Sequence, residues 1–409
     1  MLLKLAWRNL WRQKRRTLLT ASALALALFL SLFTRSLQEG TYSANIDNNA
    51  RFYTGLIQIQ HPDFKQSQSI DDLLPGNSQF VSEIKRLPQV SHLLPRIESF
   101  ALAAGDDKSK GVLVMGIEPA LEDAYSKLSD KIVAGSYLLA SDNQVLVGES
   151  FARHMQLSVG DELVLYGQGY RGQTAAGLFT IKGIVSFPMP QLESQLVYLP
   201  IAAAKQLYST DEQVTHWVVH THALEQVPAV VALLEQQFSP NARVQDWKTL
   251  SPEFYQQIQM DKAGGIFLMY ILYGVVGFGL FATIAMMTLE RQREFGVMLA
   301  TGMLRRQLIT LVSVESLLMA FIGVLIGLLV SAPVLTYFSI FPIEFTGENA
   351  QLMREAGFEP ILPLLVKPML VLKQILIVLL MLLICLSYPI VRLGLLDIVV
   401  ALKGGAHAA

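Results

Sequence analysis

Four stretches of this 409-residue chain run the thickness of a bilayer with almost no charge, and a chain so built has few places to go. Residues 17–34 lie between Arg16 and Arg35, and residues 263–289 between Lys262 and Glu290. Residues 307–337 hold one charge, Glu315, and residues 374–391 lie between Lys373 and Arg392. Hydrocarbon is spanned by about 17 to 25 apolar residues in a helix, so four transmembrane helices are expected. Only 16% of the residues are charged, against about 25% in soluble domains, which excludes an ordinary soluble protein. The net charge of -1 excludes a generic nucleic-acid binder, and the single cysteine, Cys385, excludes an intrachain disulfide or a cysteine-cluster metal site.

Charge placement orients the spans. Residues 1–16 carry Lys4, Arg8, Arg12, Lys14, Arg15 and Arg16 and no acid, the mark of a cytoplasmic end. The layout that follows is a cytoplasmic amphipathic elbow at 1–16, a first span at 17–34 and an extracytoplasmic domain at 35–262. A second span follows at 263–289, a cytoplasmic loop at 290–306 and a third span at 307–337. An extracytoplasmic loop at 338–372, a fourth span at 373–391 and a cytoplasmic tail at 392–409 complete it. The localisation this implies is a multi-pass inner-membrane protein with both termini cytoplasmic and the large domain periplasmic. A cleaved signal peptide is the rival reading of residues 1–34. The apolar core is at the long end for that class, and no small-residue cleavage site follows it. The fold class expected is an α-helical membrane protein with four transmembrane helices and a large α/β extracytoplasmic domain inserted between the first two.

Within the elbow, Lys4, Arg8 and Arg12 recur every four residues beside a stripe of Leu3, Trp7 and Trp11. Such a helix lies in the membrane interface with its indoles at headgroup depth, as a topology anchor or as a mechanical elbow. Residues 290–306 put Glu290, Arg291, Arg293 and Glu294 in the first turn of a short helix. Phe295, Met298, Leu299 and Met303 follow at roughly helical spacing, and Gly302 is placed to end it. That apolar face is expected to point at the cytoplasm and to need a partner.

These residues carry a resemblance. The 290–306 loop is followed by Val314-Glu315-Ser316-Leu317-Leu318 and by Gly323-x-x-x-Gly327. The opening Ala6-Trp7-Arg8-Asn9-Leu10-Trp11-Arg12, and a tail through Asp397, Ala401, Leu402 and Lys403, frame them. The whole frame resembles the permease module shared by MacB, FtsX and the Lol lipoprotein-release permeases, the type VII ABC permeases. Leu299 stands where many relatives carry Arg. The resemblance implies a permease that dimerises, with itself or with a sister permease, and whose coupling helix docks on a separate ATP-binding subunit. The coupling residues it implies are Glu290, Arg291, Arg293, Glu294, Phe295, Gly296, Met298, Leu299, Ala300, Gly302 and Met303, with Trp7, Arg8, Trp11 and Arg12 as the elbow. No phosphate-binding loop G-x-x-x-x-G-K-[ST] occurs in the sequence, so ATP and Mg are expected on the partner, with no cofactor, metal or catalytic residue on this chain.

Inside the membrane, Glu315 reads as an interhelical tether, with a substrate or proton contact as the alternative. Gly323, Gly327 and Ser331 form a stripe that admits another backbone, and Gly274, Gly277 and Gly279 of the second span serve packing or bending.

In the outer domain, strands are expected at 56–60, 112–116, 144–148, 162–166, 178–185, 196–199 and 214–219. Helices are expected at 79–87, 149–156, 201–207 and 227–238. Ser251 and Pro252 start a helix that continues as a stalk over 252–262 into the second span. Val147-Gly148-Glu149-Ser150, Phe179-Thr180-Ile181-Lys182-Gly183 and Val197-Tyr198-Leu199-Pro200 are similar to the Lol-type domain. In the chaperone-docking Lol permease a protruding hairpin precedes the strand matching 179–185. The corresponding 166–178 here is Gly-rich and lacks Pro, and a periplasmic chaperone stands as a possible partner. His216, His220 and His222 share one strand face, a solvated face by default and a metal site as the alternative. Asp71, Asp72, Asp106 and Asp107 are expected as solvated loop charges.

The function this implies is the permease subunit of an ATP-driven mechanotransmission transporter that extracts or releases lipoproteins or another amphiphilic cargo from the outer leaflet. An FtsX-like regulator of a cell-wall hydrolase and a MacB-like efflux permease are the alternatives.

Overall fold

A computed structural model describes residues 2–12, 14–77, 80–187, 189–355 and 360–402. The chain forms two compact units, one of Met1–Tyr42, Ile258–Ile343 and Leu362–Ala409, the other of Ser43–Gln257 and Glu344–Ile361.

The first unit is helical. Its elements are α1 (Leu2–Arg12), α2 (Lys14–Asn49), α3 (Pro252–Glu290), α4 (Gln292–Ala300), α5 (Arg305–Ile340), α6 (Pro368–Gly394) and α7 (Ile398–Leu402). Helices α2, α3, α5 and α6 are each long and apolar enough to cross a membrane, which gives the four spans expected. Each helix outruns the apolar stretch within it, because a span ends where charge begins while its hydrogen bonding continues. Residues 252–262, expected as a stalk, are the unbroken start of α3. Of the tail, residues 403–409 lie outside the described residues, as do Met1 and Gln13 of the elbow.

The bundle core brings Leu24, Leu28 and Leu32 of α2 against Ala320 and Val324 of α5 and Val378, Leu382 and Leu386 of α6. Lipid tails are as apolar as leucine, so close packing rather than water exclusion holds such helices together. Gly323 and Gly327 supply it. A Cβ added at Gly323 would meet the Ala21 carbonyl oxygen at 3.0 Å, and one at Gly327 would meet the Ala25 Cα at 3.2 Å. The expected stripe therefore brings α5 onto the backbone of α2. Helix α3 differs: 17% of its most apolar window is buried, against 50% for α2. Of its expected packing glycines, Gly277 faces Met381, while Gly274 and Gly279 have nothing within 4 Å of an added Cβ.

The second unit is α/β. Its main sheet has ten strands: β1 (Ile57–Gln60), β2 (Val90–Ala104), β3 (Ser109–Ile117), β4 (Ile132–Gly135), β5 (Gln144–Gly148), β6 (Glu162–Gln168), β7 (Thr174–Val185), β8 (Leu196–Pro200), β9 (His216–Thr221) and β10 (Arg243–Asp246). Their order is β10-β1-β9-β2-β3-β8-β5-β7-β4, with β6 joining β2 and β7. Pairs β3 with β8 and β5 with β7 are parallel, and the remaining pairs are antiparallel. Strand β8 is buried throughout, as its uninterrupted apolar run requires. Phe52, Met115, Leu146, Val185, Phe187 and Tyr198 form the core around it. Strands β6 and β7 alternate buried and exposed residues and make a hairpin whose turn holds Tyr170–Gly172. The Gly-rich stretch at 166–178 is thus a hairpin after all. Its outer face exposes Val164, Tyr166 and Leu178, continuous with Phe100 and Leu102 of β2.

Several expectations need correction. The helix expected at 79–87 is a single 3-10 turn at Ile84–Arg86, and Gln79 lies outside the described residues. Strand β2 was not foreseen, nor the helix Pro119–Ser126. The strand expected at 214–219 breaks at Thr215, whose hydroxyl donates to the Arg96 carbonyl at 3.0 Å and accepts from the Glu98 N–H at 2.9 Å. His216 and His220 are fully buried rather than solvated, and exposed His222 follows the strand's end.

His216 has an unusual neighbour. Its Nε2 lies 3.8 Å from Glu98 Oε2, whose side chain is 19% exposed. Burial, partly offset by Arg96, pushes the Glu98 carboxyl up to about 7, while burial and then Arg96 hold the His216 imidazole down to about 3. A raised carboxyl stabilises the fold at low pH and loses that contribution as pH climbs from about 4.5 to 7. A lowered imidazole loses its contribution in the opposite sense, as pH falls from about 6.5 towards 3. The two slopes oppose between pH 4.5 and 6.5, so these two contributions offset each other there. Glu98→Gln removes one slope, and urea unfolding across that window is expected to show stability rising more steeply with pH than in the wild type. A slope unchanged from the wild type's would contradict the raised carboxyl.

Candidate functional site

The end of the bundle where α1, α4 and α7 gather is built on one buried carboxylate. Glu315, 4% exposed on α5, accepts from Asn9 Nδ2 of α1 at 2.6 Å and from Arg291 Nη1, at the start of α4, at 2.5 Å. Arg291 also donates Nε to Glu294 Oε2 at 3.2 Å, and Glu294 takes both oxygens to Arg12 Nη2 at 2.7 and 2.8 Å. Burial would raise the Glu294 carboxyl, but hydrogen bonds from Arg12 and Arg291 outweigh it and hold the group below the usual carboxylate range. Five side chains from three elements thus form one connected network. Glu315 is an interhelical tether in geometry, and it binds the elbow and α4 to a span.

The elbow splits its faces. Ala6 and Leu10 are buried, while Leu3, Trp7 and Trp11 stay exposed, the two indoles edge to face at 5.9 Å. Arg8 is exposed and Arg12 is drawn to Glu294.

Helix α4 turns opposite to expectation. Phe295 and Leu299 are buried and Met298 and Met303 are half-buried, packed on Leu308 and Val312 of α5, Leu393 and Leu396 at the end of α6, and Ala401 of α7. The apolar face is covered by this chain's own helices and is not offered outward. Periodicity finds such a face and cannot say what covers it. Gly296 is buried with them, which also explains an apolar Leu299 in place of Arg. The outward strip is Arg293, Val297 and Ala300, continued by Thr301, Gly302 and Leu304, with Glu290 exposed just before the helix. Val297, Thr301 and Leu304 were missed, although spacings of four and three from Arg293 mark the complementary face. Gly302 follows the helix end with φ +98°, as its placement predicts.

A second feature lies along the spans. Helices α2 and α3 line an apolar groove of about 650 Å³, with Ala23, Leu26 and Leu30 on one wall and Val275, Gly279 and Thr283 on the other. Small residues at 23, 27 and 279 leave room in it. Of these positions the sequence reading singled out only Gly279 for packing or bending.

Comparison with known proteins fits these features. An FtsX-like permease C-terminal model matches residues 266–395, and a MacB-like periplasmic core domain model matches residues 17–237, more than half of the chain. A lipoprotein-releasing system transmembrane protein LolC from Neisseria meningitidis is 23% identical over 57% of this chain and 58% of its own length. The LolE counterpart of Haemophilus influenzae is 22% identical over 54% of each chain. The macrolide export ATP-binding/permease protein MacB of Nitrosomonas europaea is 20% identical over 81% of this chain and 51% of its own length. The chain thus spans a little over half the length of these relatives. With a MacB-like core over more than half its length and FtsX-like permease helices behind it, the chain belongs to the MacB/FtsX/Lol superfamily of ABC-transporter permeases.

Proposed function

We propose that this chain is the permease subunit of an ATP-driven transporter that takes an acylated protein from the outer leaflet of the inner membrane and releases it outward. The observation that carries this reading is the groove between α2 and α3. It is apolar and walled by two spans, its volume is about 650 Å³, and among the described residues no ionisable side chain lines it. A soluble ion or a charged solute gains nothing there, whereas an acyl chain leaves lipid at little cost. In this reading both termini are cytoplasmic and the α/β domain is periplasmic. The outward strip of α4 docks on a separate ATP-binding subunit, which holds ATP and Mg and does the hydrolysis. The chain itself is not an enzyme. The exposed α3 and its open Gly274 suit a second permease, identical or sister. A periplasmic chaperone is the acceptor to look for at the hairpin of β6 and β7.

The MacB-like core domain supports a second reading, export of a small amphiphile through the same groove. Two variants separate the readings. Gly279→Leu has room, because an added Cβ meets nothing within 4 Å, so it fills the groove without disturbing the fold. A photo-crosslinking residue at Ala23 reports the occupant. The complex is purified from its native membrane in mild detergent with whatever binds it. Lipoprotein release predicts a co-purifying ATP-binding subunit, acylated protein crosslinked at position 23, and at least a tenfold drop in release for Gly279→Leu. Crosslinks to small amphiphiles alone would favour export. An ATP-binding subunit with a cell-wall hydrolase and no acylated cargo would favour the regulator, and absence of any ATP-binding subunit would sink all three.

A further inference from the structure

The loop after β1 gathers three metal-ligand side chains that the sequence reading did not single out together. His61, Asp63 and Asp72 each offer one donor atom, and all three atoms lie within 4.8 Å of one another. His61 Nδ1 stands 3.4 Å from Asp72 Oδ1 and 3.8 Å from Asp63 Oδ2. Hydrogen bonds between such atoms run about 2.7 to 3.2 Å, so neither contact is one. Donor atoms sharing a tetrahedral zinc, with bonds of about 2.0 to 2.2 Å, stand about 3.3 to 3.6 Å apart, which the two spacings from His61 nearly match.

The Asp63 main-chain N–H lies 3.3 Å from His61 Nδ1, a long contact within the same cluster. The second oxygen of Asp72 accepts from the Ser67 hydroxyl, which turns Oδ1 towards His61, as outer-shell partners orient metal ligands. Asp63 is 77% exposed, giving an ion a path in, while Asp72 is 19% exposed and His61 34%. Asp72 is thus no freely solvated loop charge. One imidazole with two carboxylates and a position left for water suits zinc, whereas calcium and magnesium take all-oxygen sets.

The same loop touches the hairpin. Asp71, next to the ligand Asp72, accepts the Arg171 main-chain N–H at 2.6 Å, and Arg171 sits in the turn between β6 and β7 with φ 54°. We propose that His61, Asp63 and Asp72 form a zinc site that ties down this loop and, through Asp71, holds the hairpin turn in place.

The test uses the full chain in detergent, stripped with a chelator and titrated calorimetrically with zinc chloride alone. One zinc per chain is expected, weakened at least tenfold by Asp63→Asn, whose exposed side chain leaves the fold untouched, and by His61→Gln. The exposed His154→Ala should leave binding unchanged. Hydrogen exchange over residues 168–174 should slow when zinc is added to the wild type and not when it is added to Asp63→Asn. Absence of saturable zinc uptake, or uptake indifferent to both ligand substitutions, overturns the site. Equal binding of calcium overturns its zinc character, and uptake with unaltered exchange at the turn overturns the clamp.

Discussion

Arg291→Met is expected to cost the folded chain about 3 to 5 kcal/mol, because it strips the counter-charge from a buried carboxylate. Arg291 is 5% exposed and Glu315 4%, so water cannot replace the guanidinium. Asn9 would remain as a donor to Glu315 but brings no charge. The double variant Arg291→Met/Glu315→Met removes both charges, and replacing a buried pair by apolar groups is often neutral. It should recover most of the lost stability while still lacking the link from α4 to α5. Thermal unfolding in detergent measures the first effect. On the proposed function, ATP-dependent cargo release, assayed beside ATP hydrolysis by the assembled complex, measures the second. A double variant as unstable as the single one would mean that packing around Met, rather than an unpaired charge, sets the cost. A stable double variant with normal release would mean that the network holds the fold and transmits nothing.

Arg96→Met is expected to cost a similar 3 to 5 kcal/mol, in the α/β unit. Arg96 is fully buried and gives Nη2 to Glu122 Oε1 at 2.6 Å, Nε to Glu122 Oε2 at 3.2 Å, and Nη1 to the Tyr53 carbonyl. Removing it leaves a carboxylate that is 2% exposed and a main-chain oxygen without their donor. Lysine cannot reproduce the two-pronged contact, so Arg96→Lys should recover little. Urea unfolding followed by the fluorescence of Trp217 and Trp247 reports this unit, and a loss below about 1 kcal/mol would show the pair to be solvated in practice.

The two buried pairs also mark where the sequence could be read and where it could not. Spans are legible because hydrocarbon dictates both their length and their lack of charge. Glu315 stood out by the same rule, and its partner Arg291 lies one turn from a span end where cations are expected. Strand β2 was invisible for the opposite reason. Pro95, Arg96 and Glu98 break its alternation, and buried Arg96 and part-buried Glu98 find their partners in Glu122, Thr215 and His216, which lie far away in the chain. The inverted α4 fails similarly. Its apolar spacing was read correctly, yet much of the covering surface comes from the end of α6 and from α7, about 100 residues on. The zinc ligands escaped because a histidine and two aspartates spaced two and nine residues apart match no familiar motif. Only the turn of chain at Phe64–Ser67 brings Asp72 back to His61.

The glycine contacts at 323 and 327 also decide how the bundle can deform. Where Gly323 and Gly327 bring α5 onto the backbone of α2, little side chain lies between the helices to yield, so α2 and α5 respond to a push as one stiff plate. Helix α3 is the least buried of the four spans and enters the bundle core through Leu280 and Ile284. Compliance is therefore concentrated in one of the four spans. In the proposed transporter, work delivered at α4 would enter at the end of that span, one residue beyond Glu290, and the plate would give it something to bear against.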